Sequence, residues 1–231
     1  MVTTVKPGES AEPPLSADPL ARSPLRTPRA WAALVIGVVL VGIGLAMMID
    51  AGFGVAPPDA FFTALSRTSG LSVGTVLLLA SVLMVLMSWA LGLRPAIGTL
   101  ISFVGIAVVV DLTRLALGAV DAPEWSMGAR IALWIVGLLC FCSGILGIFS
   151  CDLGASPYDQ VVRAIAFRTG RSLGFARLAV DAIALLIAIV LGGAWGIGTV
   201  IILIAIPLAL NLVLPHLKRH VHHDPAHDRA P

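Results

Sequence analysis

Long uncharged apolar runs, separated by single charges or short polar clusters, set the pattern of this chain. Ala30–Ile49 lies between Arg29 and Asp50, and Thr68–Leu93 between Arg67 and Arg94. Pro95–Val110 ends at Asp111, with apolar Leu115, Ala116 and Leu117 beyond, and Ile131–Cys151 lies between Arg130 and Asp152. The stretch from Asp181 to Lys218 is too long for one helix and is broken by Gly192, Gly193, Gly196 and Gly198. A bilayer core of about 30 Å takes roughly 20 helical residues, and bare backbone is not tolerated in lipid, so these runs read as helices. The pattern predicts an all-α polytopic membrane protein with six spans, near 31–50, 72–92, 96–117, 127–149, 172–192 and 196–216.

Composition narrows this further. Hydrophobic residues make up 58% of the 231 and charged residues 12%, about half the share in a soluble domain, which excludes a soluble enzyme. The net charge of +2 and the lack of a basic stripe give no footprint for nucleic acid. Residues 1–30, rich in proline and serine, read as a disordered tail, and 218–231 as a polar tail. That second tail belongs to a His-rich end with His216, His220, His222, His223 and His227, read as solvated, not metal-binding. The first span is too long for a signal-peptide core and is expected to stay in place. Counting Lys and Arg with both termini inside puts 12 on the inner segments and 3 on the outer ones, so both termini are expected in the cytoplasm.

The chain also repeats itself at an offset of 100. Gly54-Val55-Ala56-Pro57-Pro58-Asp59 meets Gly154-Ala155-Ser156-Pro157-Tyr158-Asp159, and Gly70-Leu71-Ser72-Val73-Gly74 meets Gly170-Arg171-Ser172-Leu173-Gly174. Ile97-Gly98-Thr99 meets Ile197-Gly198-Thr199, and Asp111-Leu112 meets Asn211-Leu212. From 42 to 112, 18 of 71 positions are identical without a gap. Three spans per copy is an odd number, so the expected architecture is two inverted-topology repeats, 31–120 and 127–217, as in many secondary transporters.

After the first span of each copy comes a segment too short to cross, Pro57–Ser69 and Pro157–Thr169. Proline suits a first helical turn, Asp59 and Asp159 suit the positive helix end, and Gly70 and Gly170 suit its stop. Ala56 and Ser156 fall at the cap position. Two readings stand: an interfacial helix lying flat, or a re-entrant half-helix facing a central cavity.

These motifs, with Gly42-Ile43-Gly44-Leu45-Ala46-Met47, Thr68–Thr75 and Ala96–Leu100, resemble the YczE/YyaS/YitT group of bacterial integral membrane proteins, most nearly its YczE branch. Pro58 stands where that branch has an aromatic, which Tyr158 keeps. Gly52 stands where it often has an acid, which Asp152 keeps. The resemblance covers about 31–216. It implies a small multi-pass protein of the bacterial cytoplasmic membrane with no assigned chemistry.

Ionisable groups inside spans are costly and are the first functional candidates. Asp181 lies mid-span with Arg177 four residues before it on the same face. It reads either as a structural ion pair or as a proton- or ion-coupling carboxylate, and its repeat mate is Ser81. Asp111 and Asn211 share a repeat position and read as helix-end polar residues or site residues, with Arg114 expected to neutralise Asp111. With Gly54, Pro57, Asp59, Gly154, Ser156, Pro157 and Asp159 they complete the candidate substrate- or ion-binding set. Gly42/Ala46 and Ser143/Gly147 are read as close-packing points between helices, and Cys140 and Cys142 as buried thiols.

No Walker loop, zinc-protease motif, nucleophile elbow or dinucleotide fingerprint occurs, so neither an enzyme nor a cofactor or metal is expected. The leading expectation is a permease-like secondary transporter for a small solute, seated in the lipid bilayer, which a homodimer would complete. The alternative is a non-catalytic binding or accessory subunit, such as the substrate-binding component of a multi-subunit importer.

Overall fold

The computed structural model describes residues 28–90, 97–121, 124–150, 157–171 and 173–204. Seven helices follow in order: α1 (Pro28–Ala51), α2 (Pro57–Ser69), α3 (Val73–Ala90), α4 (Ile97–Ala119), α5 (Met127–Ser150), α6 (Pro157–Thr169) and α7 (Leu173–Val190). Residues 197–204 are helical as well, and the described residues contain no strand. Both expected tails and the rest of the sixth span, past 204, lie outside the described residues. Among those residues three helices are long and apolar enough to cross a membrane: Ala30–Ala51, Ile101–Ala119 and Met127–Ile148. A fourth crossing follows if α2 and α3, which meet at a 115° bend, form one broken span.

The 100-residue offset reappears in the folded chain. α2 and α6 both run 13 residues and start at Pro57 and Pro157, and α3 and α7 both run 18 residues and start at Val73 and Leu173. Proline opens both short helices, and a glycine with positive φ closes both: Gly70 at 72° and Gly170 at 63°. In α2 a glycine is required there, because the left-handed turn lets its N–H return to Ser66 O at 3.0 Å. At the other end Pro57 and Pro58 bring no N–H, so α2 has fewer donors to satisfy and does without a side-chain cap from Ala56.

The core sits where α1 meets α5 and α4. α1 and α5 run antiparallel and almost touch backbone to backbone. A Cβ on Gly44 would stand 2.5 Å from Gly137 O, and one on Gly37 would stand 2.9 Å from Gly144 O. The contact is reciprocal at the repeat offset: Gly37 meets the mate of Gly44, and Gly44 meets the mate of Gly37. α4 lies parallel to α1, with Gly105 against Val38 and Gly42 against Val109. The small pairs expected to mediate packing do so in part. Gly42 faces α4 and Gly147 faces Ala33 and Gly37, but the closest approach belongs to the glycines spaced by seven. Ser143 is exposed, and Cys140 and Cys142 are half-buried free thiols.

Two polar ties lock this end of the bundle, and the first corrects the expectation that Arg114 neutralises Asp111. Its Nε donates to Asp50 Oδ1 at 2.9 Å, joining α4 to the end of α1. Arg130 of α5 donates to Ala51 O from Nε and Nη2, at 3.1 and 2.8 Å, and closes the C-terminus of α1. Asp111 is instead engaged with the start of α3, accepting from Ser72 Oγ at 2.5 Å and from the Gly74 N–H at 2.7 Å. Its carboxylate thus satisfies a donor that α3 cannot pair internally. Replacing Asp111 by alanine would leave a buried N–H bare. We expect a loss of about 2–3 kcal/mol in detergent thermal unfolding, with Asp111→Asn recovering much of it.

Candidate functional site

The break between α1 and α2 begins with two glycines in positive φ, Gly52 at 78° and Gly54 at 112°. Gly54 lets the chain lie flush on the next layer: a Cβ there would stand 2.6 Å from Thr199 Oγ1 and 2.7 Å from Gly196 N. Val55, Ala56, Pro57, Ala60 and Ala64 follow, all buried. α2 therefore does not lie free on a surface. Small residues, Ala60 and Ala64, let Gly193 and the end of α7 press onto one side of it. Its other side joins the main core through Phe62, beside Val73, Val76 and Leu77 of α3.

α6 packs on α3 and α7, as α2 packs on α7 and α3. Each short helix thus rests on a long helix of the other half as well as on its own. Val162 and Ala166 of α6 close on Ala176 of α7, with Tyr158, Ile165 and Val180 around them. This brings Tyr158 over α7, where its hydroxyl donates to Asp181 Oδ1. Arg177, one turn back on α7, places its Nε 3.9 Å from Asp181 Oδ2 and its guanidinium 5.8 Å from the Tyr158 ring centroid. From the other side the Asp59 carboxylate of α2 comes within electrostatic reach of Asp181.

Of the sequence candidates, the fold brings Asp59, Arg177 and Asp181 together, at the meeting of α2, α6 and α7. Asp111 is not among them, since it holds the α3 start. Gly54 and Pro57 serve the approach to α2, and Pro57 is buried at its first turn. Pro157 and Asp159 are described as backbone in the first turn of α6, and Gly154, Ser156 and Asn211 lie outside the described residues. Tyr158 is the site residue that residue-by-residue reading passed over. The available signal was its place beside Asp159 in the repeated Pro-x-Asp phrase, where the first copy has Pro58.

The arrangement has a definite chemistry. Two carboxylates from the two halves of the chain lie within electrostatic reach of each other. One of them, Asp181, is held by a phenol and a guanidinium. The other, Asp59, has no hydrogen bond among the described residues, and Asp181 is the charge it feels. Like charges within such reach are kept against their own electrostatic cost.

Comparison with known proteins adds the following. The sequence profile of DUF6198, described as a family of unknown function, matches residues 28–214. An uncharacterized protein of Haemophilus influenzae is 27% identical over 190 residues, covering 80% of this chain and 85% of that protein. The uncharacterized membrane protein YczE of Bacillus subtilis is 28% identical over 187 residues, with the same two coverages. YyaS, an uncharacterized protein of the same bacterium, is 26% identical over 187 residues, covering 80% of this chain and 92% of that protein. No solved structure matches the chain.

Proposed function

We propose that this chain, which belongs to the DUF6198 family of unknown function, carries a small solute across a membrane by exposing one site to the two sides in turn. It is a multi-pass integral membrane protein, by its apolar crossing helices and its likeness to a membrane protein of Bacillus subtilis. The carrying reading rests on one observation above the rest. The acidic group Asp59 and the Tyr158–Asp181–Arg177 cluster come from different halves of the chain and meet where both broken segments are packed. Short interrupted helices in matching positions, bracketing polar groups at a repeat interface, are the usual pointer to a transporter site.

The inverted repeat belongs to the same proposal. A reciprocal contact, Gly37 on Gly144 and Gly44 on Gly137, is what a two-fold axis between equivalent antiparallel helices produces. The matched bounds of α2 with α6 and α3 with α7 support it. We read α2 as re-entrant. Its junction with α3 is pinned to Asp111, eight residues before the end of α4 at Ala119, hence roughly 12 Å back along that helix. The Lys/Arg bias supports both termini in the cytoplasm, with the α2 entrance on the outer side of the cytoplasmic membrane.

Single cysteines at Ala56, Asp59, Ser156 and Asp159, in a background without Cys140, Cys142 and Cys151, test this with membrane-impermeant maleimide from each side. Slow labelling whose sidedness switches on adding a transported solute is the expected result. Fast labelling of 56 and 59 from outside and of 156 and 159 from inside, unaffected by any solute, would overturn it and favour a partner-binding role.

A further inference from the structure

The seam between α2 and residues 191–199 is tied more heavily than packing requires. Two ties are backbone only: Gly198 N donates to Phe53 O at 2.8 Å, and Val55 N to Ala194 O at 3.1 Å. Three use side chains. Thr63 Oγ1 accepts from Ala194 N at 2.8 Å, Arg67 Nη1 donates to Gly192 O at 2.7 Å, and buried Trp134 donates from Nε1 to Gly54 O at 2.8 Å. Trp134 also backs Gly198, where a Cβ would stand 2.5 Å from its ring. Together they tie the linker before α2 and the second half of α2 to the turn that follows α7, with Trp134 of α5 backing the linker.

The repeat mates of the three side chains have none of this chemistry. At the mate of Thr63 stands Arg163, which cannot accept a hydrogen bond, and at the mate of Arg67 stands Phe167, which cannot donate one. Leu34, at the mate of Trp134, likewise has no donor and is buried in an apolar cluster with Val38. Other seam positions differ too, Gly193, Ala194, Trp195 and Gly196 standing against Leu93, Arg94, Pro95 and Ala96, but the side-chain ties come from these three.

We propose that Thr63, Arg67 and Trp134 form a latch that holds the α2 entrance shut and biases the protein toward opening on the α6 side. This rests on the carrying function proposed above and adds which entrance is closed at rest and by which groups. Alternating access between symmetric halves would leave both entrances equal. A latch on one side supplies the inequality, and a solute must offset it before the outer entrance opens.

The test follows a single cysteine at Ala56, a buried position, in the background without native cysteines. Membrane-impermeant maleimide is added from the α2 side. Replacing the three residues by ones without this chemistry (T63V, R67F, W134L) should raise the labelling rate at least tenfold. Arg67 is exposed, so R67F alone leaves the core untouched and should raise it about threefold. The pair T63C/A194C, oxidised to a disulfide, should suppress labelling until reductant is added. Elution as a monodisperse peak checks that each variant is folded. If folded R67F and the triple variant label at the parent rate, or the disulfide changes nothing, the latch is wrong. If the parent itself labels fast from that side without solute, α2 lies open and the carrying function fails first, so the two failures are distinct.

Discussion

Gly44→Val should prevent the protein from accumulating in folded form. The added Cβ would stand 2.5 Å from Gly137 O and 2.6 Å from Phe141 N, both backbone atoms of the facing helix, which no side-chain rotation can move aside. α1 and α5 would have to separate along their length, exposing the seam that carries Leu45, Met48 and Phe141. Overpacking usually costs about 1–3 kcal/mol, and against rigid backbone on both sides we expect the upper end or beyond. Membrane extraction and gel filtration of a fluorescent fusion would show the monodisperse peak lost. The same substitution at Gly137 should cost less, because its Cβ would stand 3.0 Å from Gly44 O and otherwise meet the side chains of Met47 and Met48. Gly118→Ala is the control: nothing lies within 4 Å of a Cβ there, and alanine favours the helix, so stability should hold or rise by about 0.5 kcal/mol. A Gly44→Val protein that elutes normally with an unchanged melting temperature would refute the described α1–α5 approach.

Asp59→Asn should make the protein more stable while stopping its activity. A carboxylate kept for structure is tied by donors, as Asp111 is, and its loss costs stability. Asp59 has the opposite surroundings, a second carboxylate in reach and no donor among the described residues. Removing one of two like charges relieves their repulsion. At an effective dielectric constant near 20 this amounts to about 2 kcal/mol at a separation of roughly 8–10 Å. Melting in detergent should therefore rise for Asp59→Asn and fall for Asp111→Asn, with the solute-dependent change in cysteine labelling lost in the first alone. A fall in both would make Asp59 a structural residue and remove it from the site.

What could be read from the sequence divides along physical lines. The ends of α2 and α6 were legible to the residue because their signals are local: proline at the start, and a glycine free to take positive φ at the stop. The span bounds followed from charge, which lipid excludes, so Asp50 and Arg130 mark helix ends within a residue or three. Pairings between distant segments were not legible. Arg114 was assigned to Asp111, three residues away, yet it reaches Asp50 because α1 and α4 run side by side. The close seam was sought in glycine and small residues four apart, whereas antiparallel helices here meet through glycines seven apart, two full turns. In the site, Asp181 and Arg177 announced themselves by charge in an apolar run. Tyr158 did not, because an aromatic near a helix start is unremarkable until a carboxylate is found under it.

The glycine seam has a consequence for how the protein is made. α1 is finished long before α5 exists, since Gly37 and the Gly144 it meets are separated by more than a hundred residues. At synthesis rates of about 5–20 residues per second, the α1 face waits roughly 5–20 s for its partner. Throughout that interval the glycine face of α1 has no α5 to pack against. Quality control at the insertion machinery therefore meets a helix whose neighbour is still unmade.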